Sequence, residues 1–324
     1  GQQMKNFYDG NGYKIKHMQI TSWSITSQRK RGLFSEIAQA PYTGGIYPIL
    51  VTDVTFDSCT IDYNITSYGY TEYTGFLAGV CYDNGLSNVL GVVHKIRVMP
   101  SCTINIVGRP YSLYLGGIVG RGRVDNSIFS GTINWETTSS VNIGYVGGIA
   151  GLCNYSFNNL FDGKITVQRA AGADETSDKY FVGGITGSFS DSMAIVVSRG
   201  TIVGGSTAGS SYTGGLGGRV FGGDHIYQGY SSLDSVYDAN SFGYILGGQE
   251  STPTTEWSGV FYAVDSTYRD ATYNAMFSNN GTDTTGWKKT GDFLQNQDSL
   301  EAYGWDFDTD WYVAENVFDG YPVP

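Results

Sequence analysis

Charged residues are scarce in this sequence of 324 residues, at 15%, and acidic residues outnumber basic ones by 30 to 19. The formal net charge of −11 argues against the basic face that nucleic acid phosphates require. It also disfavours adsorption to an anionic membrane surface. No apolar run reaches the length that crosses a bilayer, so the sequence predicts no membrane insertion.

Histidine and proline are also rare, with three and seven residues. No histidine is followed by glutamate, and the sequence contains no Gly-x-Ser-x-Gly elbow, phosphate-binding loop or dinucleotide-binding fingerprint. These absences disfavour the common classes of hydrolase and of nucleotide-binding enzyme.

Glycine, in contrast, is abundant at 46 residues, and tyrosine and phenylalanine contribute 25 and 16. Aromatic and β-branched side chains fit strands better than helices, and they supply apolar surface that a disordered chain would lack. The composition therefore predicts an all-β protein.

A short motif, aromatic-x-Gly-Gly-(Ile/Leu)-x-Gly, recurs along most of the chain. Taking the Ile or Leu as the anchor, its copies lie at positions 77, 118, 149, 185 and 216, at intervals of 41, 31, 36 and 31 residues. The copy at 77 has Phe76 in place of the second glycine. A weaker copy at 242–248 has Leu246 as its anchor, and a degenerate copy occupies residues 32–35.

A second half-motif, Gly-x-Ile, follows at residues 131–133, 163–165 and 200–202. Each unit therefore holds at least two short strands and is too small to bury its own apolar face. Stacking the units buries a continuous core, which predicts a right-handed parallel β-helix, or β-solenoid, over residues 1–265. Residues 266–324, with a short helix around Leu294 to Tyr303, are expected to form a small C-terminal cap on the open end.

These patterns resemble the GLUG repeats of bacterial cell-surface proteins. The opening Phe-Tyr-Asp-Gly-Asn-Gly-Tyr-Lys-Ile at 7–15 is similar to the start of that family, as is the Gly-Leu-Phe copy at 32–34. The closing Gly-Trp-Asp-Phe at 304–307, followed by Trp311 and Gly-Tyr-Pro at 320–322, is similar to its end. The chain departs from the pattern at Ser35 and at Tyr244-Ile245, where the family has glycines.

The resemblance implies an extracellular or surface-anchored, adhesin-like protein without a general catalytic site. We therefore expect a non-enzymatic module that binds a host or environmental glycan or a surface protein. A polysaccharide-active β-helix enzyme, lyase or glycosidase, is the first alternative, and a structural spacer is the second. The enzyme would need a stacked acidic row, for which the candidates are turn aspartates: Asp83, Asp125, Asp191 and Asp224.

Aromatic residues suggest both a packed core and a binding surface. The motif aromatics are expected to stack coil upon coil as an internal ladder: Tyr73, Tyr114, Tyr145, Phe181, Tyr212 and Phe242. A glycan would instead stack on tyrosines outside the motif, and Tyr63, Tyr68 and Tyr70 are the candidates for such a site.

Two further residue sets are candidates for a metal site or a disulfide. Alternation of Asp306, Asp308 and Asp310 places three carboxylates on one face of an extended segment, where a calcium ion would relieve their repulsion. No other cofactor is suggested. The cysteines occupy matched repeat positions, which favours small buried side chains, with a disulfide as the alternative: Cys59, Cys81, Cys102 and Cys153.

Overall fold

The computed structural model describes residues 2–4, 8–22, 29–37, 51–66, 69–81, 93–138, 143–170, 179–204, 211–220, 225–232, 235–237, 242–243, 245–249, 256–263, 288–289, 291–312 and 322–324. Strands dominate these residues: β1 (Gln2–Met4), β2 (Tyr8–Asp9), β3 (Lys14–Lys16), β4 (Gln19–Ser22), β5 (Arg29–Arg31), β6 (Phe34–Ile37), β7 (Val51–Asp57), β8 (Thr60–Ile65), β9 (Thr71–Thr74), β10 (Ala78–Cys81), β11 (Val93–Val98), β12 (Thr103–Gly108), β13 (Ser112–Gly116), β14 (Val119–Arg121), β15 (Val124–Phe129), β16 (Thr132–Thr137), β17 (Ile143–Gly147), β18 (Ala150–Phe161), β19 (Lys164–Arg169), β20 (Tyr180–Gly183), β21 (Thr186–Ser198), β22 (Thr201–Val203), β23 (Tyr212–Gly214), β24 (Gly217–Val220), β25 (His225–Ser231), β26 (Ser235–Tyr237), β27 (Phe242–Gly243), β28 (Leu246–Gln249), β29 (Glu256–Ala263) and β30 (Lys288–Lys289).

The described strands form three sheets, and the chain visits them in a fixed order. Sheet 1 has 16 strands, whereas sheets 2 and 3 have seven each, in the orders β26-β22-β19-β16-β12-β8-β4 and β27-β23-β20-β17-β13-β9-β5. Each strand pairs in parallel with its counterpart one coil away, as β12 does with β8 and β16. The predicted all-β parallel solenoid is therefore confirmed.

The glycines of the repeat allow the backbone leaving sheet 3 to lie directly against the backbone entering sheet 1. A methyl group on Gly148 would overlap the Phe161 ring and the carbonyl oxygen of Gly184. At Gly151 the added carbon would lie 2.5 Å from the amide nitrogen of Leu115. Only glycine fits such a close approach. The Ile or Leu anchors of the five clear motif copies lie within the core, and each is no more than 1% exposed.

The sequence prediction places the anchor of the sixth motif copy one residue too late, at Leu246. The amide of Leu216 donates to the carbonyl of Ile245 at 2.9 Å, so Ile245 holds the anchor position, and Leu246 pairs with Gly217. Phe242 correspondingly pairs with Thr213 rather than with Tyr212. The glycine spacing misled the prediction because Ile245 and Leu246 are both suitable anchors.

The predicted aromatic ladder is present from the second coil to the sixth. Ring centroids of Tyr73 and Tyr114 are 4.7 Å apart, and those of Tyr114 and Tyr145 are 5.1 Å apart. The stack continues to Phe181 at 5.3 Å and to Tyr212 at 5.7 Å. The rings of Tyr73, Tyr145 and Phe181 are at most 9% exposed, so the ladder is mainly a packing feature.

The four cysteines are all buried and unpaired, as small core side chains would be. Burial raises the pKa of the Cys102 thiol to about 11 and that of Cys153 to about 12. A thiol with so high a pKa is a poor nucleophile at neutral pH.

A second repeat feature lies within the strands of sheet 1 and was not predicted. Six residues in one row have left-handed backbone angles, with φ between 48° and 56°: Asp53, Lys95, Asn126, Asn158, Ile195 and Gln228. On either side of this row the side chains alternate between the core and the outer face. Phe161 and Ser156 point inward, for example, whereas Phe157 and Leu160 point outward. Each strand therefore bends once, in the same place in every coil.

The C-terminal segment continues sheet 1 at the open end through β30, which pairs with β29, and its residues 291–312 lie along the flank of the solenoid. It contains helices α1 (Gly291–Leu294) and α2 (Gln297–Glu301), close to the predicted helix. Its apolar side chains pack on one outward row of sheet 1 that spans four coils: Leu160, Val197, Tyr230 and Phe261. The Tyr230 hydroxyl donates to the carbonyl of Pro322 at 2.8 Å. None of the described helices has the length and apolarity to span a membrane.

Candidate functional site

Two of the tyrosines proposed for glycan stacking, Tyr63 and Tyr70, do not form an exposed platform. Tyr63 is 3% exposed and points into the coil, where its hydroxyl lies 2.6 Å from Oγ1 of Thr74. A sugar cannot reach it, so the prediction for Tyr63 is wrong. Tyr70 is half-buried, and its carbonyl accepts a hydrogen bond from Tyr111 at 3.0 Å. Tyr68 lies outside the described residues.

The three aspartates proposed for calcium lie in a turn rather than in an extended segment. The Asp306 carboxylate accepts hydrogen bonds from the amides of Asp308 at 2.8 Å and Thr309 at 3.1 Å, and from the Thr309 hydroxyl. These bonds lower the pKa of Asp306. Asp310 donates its amide to the Asp306 carbonyl at 3.1 Å. In the part of the chain that the structure describes, no three His, Cys, Asp or Glu side chains converge as metal ligands.

The acidic row required by the enzyme alternative is not formed by its two described members. Asp125 pairs with Phe157, which pairs in turn with Ala194, whereas Asp191 lies three residues earlier on that last strand. Asp125 instead makes an ion pair with Arg123 at 2.8 Å. Asp83 and Asp224 lie outside the described residues.

The outer face of sheet 1 carries an exposed row of aromatic side chains beside the left-handed residues. Phe157, Ala194 and Tyr227 are aligned by the pairing of β18, β21 and β25, and we call these three residues the aromatic row. Phe157 is 36% exposed and Tyr227 is 37% exposed. Neighbouring parallel strands are about 4.8 Å apart, so two rings that flank an alanine stand about 10 Å apart.

Polar and cationic groups border the aromatic row. The His225 ring stacks on Tyr227 with centroids 5.6 Å apart and an angle of 8°. Arg123 lies 5.3 Å above the ring of Tyr155, which is two residues before Phe157 on the same strand. The row therefore combines flat apolar surfaces with hydrogen-bond donors at its edge.

Hydrogen-bonded polar side chains lie beside the aromatic row. They occupy the left-handed positions Asn158 and Asn126 and end at His94. The Asn158 amide donates to the side-chain oxygen of Asn126, whose own amide nitrogen lies 2.7 Å from Nε2 of His94. Burial and the nearby Lys95 lower the pKa of His94, which favours the neutral form of the ring. Gln228 continues the left-handed positions and accepts a hydrogen bond from the Trp311 indole at 3.3 Å.

Sequence reasoning missed this surface because it depends on strand register. Phe157 and Tyr227 belong to no repeat motif and are 70 residues apart in sequence, with the intervening coil placing Ala194 between them. The usable signal is local. An aromatic residue directly before Asn158 or Gln228 occupies the outward position that precedes the bend.

Comparison with protein families, with curated proteins and with solved structures finds no match to this chain. The resemblance to GLUG repeats therefore stays a prediction from the motifs.

Proposed function

We propose that this chain is a non-enzymatic, adhesin-like binding module of a bacterial cell surface or secreted protein, and that it binds glycan through the aromatic row. The observation that carries the proposal is the pair of exposed rings, Phe157 and Tyr227, held two coils apart on a rigid parallel sheet. The surface location rests on the resemblance to GLUG repeats.

The chemistry of the row suits a sugar better than a purely apolar partner. Aromatic faces pack against the apolar C–H faces of pyranose rings, and edge hydroxyls need hydrogen-bond partners. The side chains of His225 and Asn158 border the row and supply such groups. The regular spacing of the coils favours an extended glycan that contacts both rings over a single small sugar.

A glycan array followed by calorimetry on the best ligand tests the proposal. The variants Phe157→Ala and Tyr227→Ala remove the stacking surfaces from an outer face, so the fold is expected to persist. Each is expected to weaken binding about tenfold or more, the range found for aromatic anchors. Tyr312→Ala is the matched control, because Tyr312 is 53% exposed and lies in the C-terminal segment.

Each other outcome favours a specific alternative. Glycan binding that both variants leave unchanged would reject the aromatic row as the site. An array that stays blank would favour the spacer or a protein partner. Release of reducing ends from polysaccharides would favour the enzyme.

A further inference from the structure

Two arginines point into the interior of the solenoid at its N-terminal end. Arg29 pairs with Glu72 in the next coil, and Arg31 pairs with Thr74. One coil further on, the same inward columns hold Leu113 and Leu115, both fully buried. Charged side chains therefore occupy positions that are apolar deeper in the stack.

The charges in this cluster do not balance. Glu72 is 2% exposed, with Oε1 at 3.6 Å from Nε of Arg29 and Oε2 at 3.4 Å from Nε of Arg31. The two arginine side chains are only 9% and 8% exposed. Arg31 also lies 4.0 Å above the ring of Tyr63. Arginine stays protonated in proteins, so two buried cations share one carboxylate.

Each of the two arginines has a buried nitrogen donor without a hydrogen-bond acceptor. Nε of Arg29 and Nη2 of Arg31 are buried and have no hydrogen-bond partner. A buried donor without an acceptor is strongly unfavourable, and more so when it carries charge. Burial raises the pKa of Glu72 to about 7, despite both arginines, so its negative charge is incomplete near neutral pH.

The two arginines lie in the outermost described strand of sheet 3 at the N-terminal end of the stack. Among the described strands, β5 and β4 are the last members of sheets 3 and 2 at this end. Glu72 contacts the arginines from the side of the second coil, and the opposite side faces the N-terminal end of the stack. An oxygen ligand there would complete the arrangement that Glu72 begins.

We propose that Arg29 and Arg31 bind a second anion, of the carboxylate or phosphate class, on the side opposite Glu72. The planar forks of two guanidinium groups match the oxygen atoms of such an anion. The site is separate from the aromatic row, so either can fail without the other.

Calorimetric titration of the full chain with inorganic phosphate and, separately, with acetate tests this site at constant ionic strength. We expect saturable binding of at least one anion, accompanied by a rise in Tm. Arg29→Gln is expected to abolish both effects. Lys30→Gln is the matched control, because Lys30 lies on the same strand and pairs with Glu36 instead.

Glu72→Gln keeps the test decisive if the arginine variant fails to fold. Removing the neighbouring negative charge is expected to tighten anion binding about tenfold, since a competing carboxylate is lost. Absence of saturable binding of both anions to the wild-type protein overturns the proposal. So does anion binding that Glu72→Gln weakens or leaves unchanged, or that persists in a folded Arg29→Gln variant.

Discussion

At the scale of single residues, the repeat glycines are selected by contact distance. Gly148 has no left-handed backbone angle, yet a side chain there would overlap the next coil. The special angles occur elsewhere, at residues such as Asn126, Asn158 and Ile195 in the bend of sheet 1. Asparagine tolerates this conformation well, whereas the β-branched Ile195 adopts it under strain.

Gly148→Ala is therefore expected to destabilise the protein by about 3 kcal/mol or more, because both the Phe161 ring and a backbone oxygen must move. Gly69→Ala is the comparison, since nothing lies within 4 Å of the added carbon and only its φ of +120° opposes the change. Its expected effect is about 1 kcal/mol. Denaturant unfolding of both variants measures the difference, and equal losses would contradict the close contact between coils.

Glu72 gives the stability a pH dependence of unusual sign for a carboxyl group. Its pKa rises from 4.5 to about 7 on folding, chiefly through burial, so the folded state binds the proton more tightly than the unfolded chain. The stabilisation is complete below pH 4.5 and is lost as pH rises through 7, a change of about 3 kcal/mol. The charged or titratable groups facing it are Arg29, Arg31 and Tyr63.

Chemical denaturation of the wild-type protein and of Glu72→Gln between pH 4.5 and 8 measures this contribution. The wild-type protein is expected to lose stability relative to the variant across that range. A difference between the two proteins that stays constant with pH would show that the Glu72 carboxyl is ionised throughout.

At the scale of elements, different side-chain rows of the sheet 1 strands have different roles, which the sequence motif does not reveal. Their inward side chains build the core, one outward row receives the C-terminal segment, and the aromatic row exposes the rings of Phe157 and Tyr227, with Ala194 packed against the C-terminal cluster. The bend lies between the two outward rows, and Gln228 at the bend bonds to Trp311 of the C-terminal segment. At the bend, the backbone hydrogen bonds between neighbouring strands are interrupted, and the inward side chains of Ser127 and Asn159 bond to backbone groups instead. The backbone amide of Ser127, for example, donates to the Asn159 side chain at 2.9 Å.

The C-terminal segment is held mainly by its tryptophans. Trp305 and Trp311 stack at 4.0 Å and contact Tyr230 of the solenoid. Trp305→Ala is expected to destabilise the docked segment by about 3 kcal/mol, the typical loss for a buried large aromatic residue. Amide hydrogen exchange over residues 291–312 measures it. Tyr312→Ala, an exposed change in the same segment, is expected to alter exchange little. Faster exchange in the control variant as well would place the contact surface elsewhere.

At the scale of the whole molecule, each coil buries the apolar side chains and pairs the strands of the next coil. The core is one continuous cluster, from Ile37 in the first coil to Val260 in the last. The N-terminal end of sheet 3 carries inward charges, which discourages pairing with the end of another solenoid. The flank carries the C-terminal segment and the aromatic row on the same sheet, so binding at the row and docking of the segment share one support.

The sequence by itself determined the parts of this protein that repeat. The anchors, the close-contact glycines and the aromatic ladder follow from local spacing, because every coil must meet the same neighbours in the same way. Only the tertiary structure decided what happens once in the molecule. Three such features depend on the register between coils of unequal length. They are the alignment of Phe157 with Tyr227, the inward direction of Tyr63 and the flank against which Trp305 packs. The aspartates from 306 to 310 form a turn because their backbone and side-chain hydrogen bonds outweigh simple alternation.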